Sequence, residues 1–155
     1  MENSNTNYSQ SVTGVVIRNN QVLLARHTYG AGKGMLIIPG GYVEYGETPQ
    51  NALRREYLEE TGIVVEPKQI IGIRFNAHDW YVAFLAEYVS GEARSDGDEN
   101  DEVVWLDIPE ALVREDVPDL TKKLIECGLK ADRGLSQLPY VSRSKHGESS
   151  LYGIL

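Results

Sequence analysis

A single cysteine, Cys127, occurs among the 155 residues, so no disulfide can form within the chain and a reducing compartment is expected. Residues 1–10 are polar and lack the basic and apolar regions of a signal peptide, and no apolar run approaches a membrane span. A cytoplasmic protein is the expectation. The three histidines, His27, His78 and His146, are scattered, so no His-x-x-x-His pair is available for zinc hydrolysis. Basic residues are the minority, 15 against 23 acidic ones. The resulting net charge of −8 argues against a large nucleic acid or an anionic membrane as partner. It leaves room for a small anionic substrate, because a bound cation inverts local charge. Repeats and domain linkers are also missing, which leaves one domain of ordinary size with a real core.

What the chain does have is concentrated between Gly40 and Ile63. Thr48 is a good N-cap, Pro49 suits the first helical position and Gly62 suits the left-handed residue that ends a helix. A helix of about thirteen residues is expected between them. At about 100° per residue, Glu56 and Glu60 lie about 40° apart and Glu59 about 60° to the other side of Glu56. Three carboxylates then share one face, and their repulsion weakens an isolated helix by a few tenths of a kcal/mol per pair. A solvated acidic face is the ordinary explanation of such a cluster. Here it comes with a glycine-rich approach, a cap and Arg55, and a hard divalent cation such as Mg²⁺ or Mn²⁺ would relieve the repulsion.

The stretch resembles the signature of Nudix hydrolases, Gly-x5-Glu-x7-Arg-Glu-U-x-Glu-Glu-x-Gly-U, where U is bulky and aliphatic. Gly41, Glu47, Arg55, Glu56, Glu59, Glu60, Gly62 and Ile63 fit, which is eight of nine defining positions. Tyr57 departs, being aromatic where the family has an aliphatic residue. The box covers 23 of 155 residues.

Around it the chain reads as an α/β protein. Val12 to Arg18 and Gln21 to His27 are β-rich runs joined by Asn19-Asn20, which favours a tight hairpin. Thr28 to Gly34 holds three glycines and Lys33 but leads into the strand-like Met35 to Ile38, so it is no Walker loop. Val64 to Phe75 suits one bent or interrupted strand. In Asp79 to Val89 both alternating faces are apolar, which implies layers above and below. Trp80 and Phe75 are read as core. The run from Gly91 to Glu102 is a loop whose acidic spacing fails as a calcium site, with no helix pair and no Glu at position twelve. Val103 to Leu106 is expected as the last strand. Asp107 and Glu110 have the form of a capping box, and Asp116 that of a second cap, before a helix ending at Gly128. Residues 1–11 are expected as a flexible start and 12–130 as the domain. Residues 131–155 form a tail whose apolar end either docks, on this or a second subunit, or is disordered.

The resemblance implies a Nudix fold, an α/β/α sandwich with a mixed β-sheet. It also implies a hydrolase for a nucleoside diphosphate linked to a group X, a small-molecule substrate. Mg²⁺ or Mn²⁺ would be held by Glu56, Glu59 and Glu60, with the Gly40 carbonyl and a loop acid, Glu102, Glu99 or Asp101. Arg55 is read as orienter of the glutamates, and Glu47 as completing the shell. The general base is left among Glu59, Glu60 and a loop acid such as Glu102. Arg26, Tyr29, Lys33 and Tyr81 are candidate substrate contacts. For X, a nucleoside triphosphate or modified nucleotide comes first by elimination. A nucleotide sugar or other diphosphate, or a non-catalytic nucleotide sensor, are the alternatives. A homodimer is left open.

Overall fold

Two asparagines set the first turn. In the computed structural model, which describes residues 9–155, Asn19 and Asn20 both take positive φ (52° and 60°), the type I′ geometry that matches strand twist. They join β1 (Ser9–Arg18) to β2 (Gln21–His27). β3 (Leu36–Ile37) and β4 (Gly40–Tyr42) follow, then α1 (Pro49–Thr61), β5 (Val64–Phe75), β6 (Asp79–Ser90) and β7 (Asn100–Asp107). α2 (Ile108–Ala111), α3 (Asp119–Gly128), β8 (Ser136–Leu138) and β9 (Leu151–Gly153) complete the described chain.

The sheet is mixed. Its order is β3-β2-β1-β6-β5, with β4 also on β1 and β7 also on β2. β1 and β6 run parallel, and the other pairs are antiparallel. β1 keeps β6 on one side for most of its length. On the other side it pairs first with β4, through Ser11 to Thr13, and then with β2, through Ile17 and Arg18. The sheet therefore splays between β4 and β2, and a cleft opens there.

Alternation along β1 sends Val12 and Val16 to one face and Val15 and Ile17 to the other. The first pair joins Leu53 and Tyr57 of α1, with Leu23, Ile63 and Phe84. The second joins Leu124 and Ile125 of α3, with Val22, Leu24 and Leu36. Both faces are covered, which is the α/β/α sandwich the sequence implied. Tyr57, the departure from the box, is fully buried and donates its hydroxyl to the Gly14 carbonyl on β1. An aromatic ring is accommodated because its one polar atom finds a partner.

Several expectations change. Of the flexible start read at residues 1–11, residues 1–8 lie outside the described residues, whereas Ser9 to Ser11 pair with Asp79 to Tyr81. Val103 to Leu106 is the middle of the longer β7, and it is not the last strand. Asp107 occupies the N-cap position of α2, as expected, but its side chain makes no capping hydrogen bond. It lies opposite Gln21 across β2–β7 and accepts from its Nε2 at 3.0 Å. Asp116 accepts from Arg114 and Arg26 and caps no helix, and Pro118 is the N-cap residue of α3. Trp80 and Phe75 are exposed and stack edge to face at the β5–β6 turn, away from the core. In residues 131–155, Leu135 exchanges backbone hydrogen bonds with Ile70, and Tyr152 packs its ring on Phe84. Gln50 of α1 donates to Ser150 Oγ (2.7 Å) and Tyr152 Oη (3.2 Å), so this segment lies against the first turn of α1.

Candidate active site

The site is built on α1. Thr48 Oγ1 accepts from the Asn51 N–H at 3.2 Å, and Gly62 closes the helix at φ 75° with its N–H on the Leu58 carbonyl. The carboxylates of Glu56 and Glu60 lie one turn apart on the face toward the cleft, against β4. A Cβ at Gly41 would lie 2.4 Å from the Glu56 carboxyl carbon, so glycine here lets that carboxylate rest where it does and a larger residue would displace it.

A third acid arrives from the loop before β7. Oxygens of Glu56, Glu60 and Glu99 all lie within 4.8 Å of one another. Glu99 is held in place by its neighbours: its carbonyl accepts from the Thr28 N–H (3.1 Å), and that of Asp98 from the Thr28 hydroxyl (2.6 Å). Asn100 is buried and donates from Nδ2 to the Glu60 carbonyl at 2.9 Å, which ties the loop to the end of α1. The sequence reading missed Asn100. One polar residue at the edge of an acidic run carries no signal of its burial.

Glu60 is 4% exposed, and its Oε2 has no hydrogen-bond partner. Burial, then the Glu56 charge and a proton shared with Glu99, push its carboxyl up to about 9, against the Gly40 N–H that favours the charged form. Burial also raises Glu56, while Arg55 opposes the rise. Three carboxyls crowded this way retain a proton when nothing else neutralises them. A hard divalent cation suits carboxylate oxygens grouped this closely and would take the place of that proton.

Arg55 organises the other side. Its Nε and Nη2 donate to both oxygens of Glu47 (3.0 and 2.7 Å), its Nη1 to Glu56 Oε1 (2.9 Å), and its Nη2 also to the Tyr42 carbonyl (3.1 Å). The fork on Glu47 holds that carboxyl below its usual range and raises the guanidinium further. Glu47, expected from sequence to complete a metal shell, has both its oxygens on Arg55, which also donates to Glu56. Glu59 is 61% exposed on its side chain, 3.4 Å from Arg55, and stands outside the close group of three.

The cleft in front of these acids has a volume of about 580 Å³ and is lined by Gly40, Tyr29 and Tyr81 among others. Tyr29 stacks on His27 at 5.6 Å between ring centroids. The far wall is polar: Arg74 lies over the Tyr81 ring and donates to both oxygens of Asp79 (2.8 and 2.9 Å), which also accepts from Ser11. Three sequence candidates lie elsewhere. Glu102 sits opposite Arg26 across β2–β7 and accepts from it at 3.1 Å, so strand register turns it away from the acids and Glu99 is the loop carboxylate there. Arg26 is consumed by Glu102, Asp116 and the Gly34 carbonyl and does not line the cleft. Lys33 lies in the exposed turn and does not line it either.

A model of the NUDIX domain matches residues 8–126. The chain belongs to the Nudix family. Among its curated Nudix relatives, an ADP-ribose pyrophosphatase of Methanocaldococcus jannaschii is 31% identical over 104 residues, which is 63% of this chain and 61% of that protein. The NAD-capped RNA hydrolase NudC of Vibrio cholerae is 39% identical over 100 residues, 60% of this chain and 35% of the relative. The chain thus spans only part of the length of these relatives. Among solved structures, a NUDIX hydrolase from Nitrosomonas europaea matches with a TM-score of 0.72 at 24% identity, covering 88% of this chain and 99% of that one. A MutT NUDIX hydrolase from Burkholderia pseudomallei matches with 0.68 at 23% identity, covering 76% and 95%. Both likenesses concern the fold. Among the described residues, no helix is long and apolar enough to cross a membrane.

Proposed function

We propose that this protein hydrolyses the phosphoanhydride bond of a nucleoside diphosphate linked to a second group X, with Mg²⁺ or Mn²⁺ as cofactor. The observation that carries the reading is the Glu56–Glu60–Glu99 group with its unpartnered, buried Glu60 oxygen at the floor of the cleft. Glu56, Glu60 and Glu99 would hold the cation, with Glu59 at their exposed margin and the Gly40 backbone beside them. Bound there, such an ion supplies charge neutralisation at the phosphates and acidifies water.

The protein's own residues supply orientation. Glu47 fixes Arg55, and Arg55 fixes Glu56 toward the cleft. Asn100 and Thr28 hold Glu99 opposite α1. A carboxylate of the set accepts the proton of the attacking water. Tyr29 and Tyr81 offer ring surfaces to the nucleoside. The names of the relatives, ADP-ribose pyrophosphatase and NAD-capped RNA hydrolase, support a nucleoside diphosphate carrying a second moiety ahead of the nucleoside triphosphate preferred from sequence. The net charge of −8 supports a small substrate over a long phosphate backbone.

The test is a panel of nucleoside diphosphate derivatives and triphosphates with Mg²⁺ or Mn²⁺, scored by the phosphate product, with Glu60→Gln as control. Metal-dependent cleavage of one class, abolished in the variant, is expected. Binding without cleavage across the panel would replace the hydrolase by a nucleotide sensor.

A further inference from the structure

Across the cleft from the acids, strand register assembles a second polar group that lies outside the box. Tyr81 of β6 is the cross-strand neighbour of Ser11 of β1 on one side and of Arg74 of β5 on the other. Such neighbours point to one face of a sheet, and Asp79, two residues before Tyr81, points the same way. All four residues line the cleft. The β5–β6 turn beside them is pinned. Asn76 Oδ1 accepts from the N–H groups of His78 and Asp79 (2.7 and 2.8 Å), and the Ser9 N–H donates to the His78 carbonyl (2.9 Å). Within the group, the Ser11 hydroxyl donates to Asp79 Oδ2 at 2.9 Å, and Arg74 Nη2 donates to both Asp79 oxygens.

Arg74 is held differently from the two arginines described above. Arg26 commits Nη1 and Nη2 to two carboxylates and a carbonyl, and Arg55 commits all three of its nitrogens. Arg74 pairs with Asp79 through Nη2 alone. Among the described residues its Nη1 makes no hydrogen bond, and its Nε is buried without a partner. A five-donor fork anchored at one nitrogen keeps donors for a ligand. No other lysine or arginine lines the cleft, and burial pushes His27 toward its neutral form. The remaining charged groups on its walls are acidic: Glu44, Glu56, Glu60, Glu99 and Asp79. A cation at Glu56, Glu60 and Glu99 would answer the negative charge of a diphosphate at that end. An anionic oxygen on the opposite side meets Arg74. Asp79 cancels part of the positive charge there, so directed N–H donors supply the attraction, and phosphate oxygens suit a planar fork.

We propose that Arg74, with Asp79 holding its guanidinium in place, binds a phosphate oxygen of the substrate from the wall opposite the acids. Arg74 then sets affinity for the diphosphate, while the acids and their cation carry the chemistry. The assignment rests on the hydrolase reading for its phosphates. Hydrogen bonding of this kind to a charged group corresponds to about 10–100-fold in affinity.

The test is calorimetric binding of methylenediphosphonate, a diphosphate that needs no turnover and carries no nucleoside, to wild type, Arg74→Gln and Arg74→Lys with Mg²⁺. Arg74→Gln should weaken binding about 10–100-fold. Arg74→Lys keeps the ion pair with Asp79, and with it the hairpin, but lacks the fork, and should weaken binding about three- to tenfold. With the substrate identified by the panel, Arg74→Gln should raise KM more than it lowers kcat. Affinity within twofold of wild type in both variants, or in Arg74→Lys alone if Arg74→Gln does not fold, would overturn the assignment and leave the hydrolase reading intact. So would a failure of wild type to bind methylenediphosphonate while the panel is cleaved. A raised KM with unchanged methylenediphosphonate affinity would move Arg74 to the nucleoside and overturn the phosphate contact. Arg74-dependent binding by a protein that cleaves nothing in the panel would sustain the assignment and overturn the hydrolase reading.

Discussion

Two arginines of equal burial organise opposite parts of this molecule. Arg55 and Arg26 have side chains 24% and 25% exposed, and each donates to a backbone carbonyl and to more than one carboxylate. Around Arg26, Arg114 adds a second positive charge, so Glu102, Asp116 and Glu110 meet two cations. Around Arg55, the same single charge faces Glu44, Glu47, Glu56 and Glu59, with Glu60 and Glu99 directly behind. The first network is close to neutral and closes on itself. The second keeps an excess of negative charge at the wall of a cleft, and that excess is what a divalent cation would answer. An arginine among acids is therefore a structural clamp or part of a site according to the balance around it.

The comparison breaks first at Glu60. Glu60→Gln should lower turnover by about 10²–10³-fold, with a melting temperature at or above that of wild type because a crowded buried carboxyl is gone. Turnover near wild type would remove the acids from catalysis. Arg55→Ala should cost about 10–100-fold, the range for residues that orient ligands, and its loss should appear mainly in kcat. A change in KM alone would make Arg55 a substrate contact.

A pH series sharpens the contrast. The Glu60 carboxyl sits at about 9 in the fold against an ordinary value of 4.5, so the folded state holds the extra proton between those limits. Stability from this group is complete below the lower value and is lost as pH rises toward the upper one. In EDTA the melting temperature should fall from pH 5 to pH 9, and Mg²⁺ or Glu60→Gln should flatten that slope. An equal slope in all three samples would place the proton elsewhere. The smallest effect is expected at the closed network. Arg26→Ala should cost about 1 kcal/mol of stability and leave turnover within twofold, and a tenfold rise in KM would return Arg26 to the substrate.

Legibility differed in the same way between the two regions. α1 could be read from residues next to one another in sequence: Thr48, Pro49 and Gly62 bound it, and Glu56 and Glu60 share a face by helical period alone. The Asn19-Asn20 hairpin was equally local. Long-range pairing was not legible. Glu102, Asp107 and Asp116 each had a reasonable local reading, as loop acid or cap, and each was taken by a partner from β2 or its neighbourhood. Trp80 and Phe75 fitted an apolar alternation, but they lie where the sheet runs past its covering layers.

By itself, then, the sequence determined what depends on neighbours within about one turn of chain: the capped helix, its acidic face, the hairpin and the two-sided strands that require a sandwich. Backbone sterics and helical period act over that range and need no knowledge of the rest. Tertiary structure alone decided that Glu99 joins Glu56 and Glu60, that Asn100 anchors its loop, and that Glu47 pairs with Arg55. Those outcomes depend on strand register and on where β1 passes from β4 to β2. Register is settled by the packing of both faces at once, which no single segment encodes.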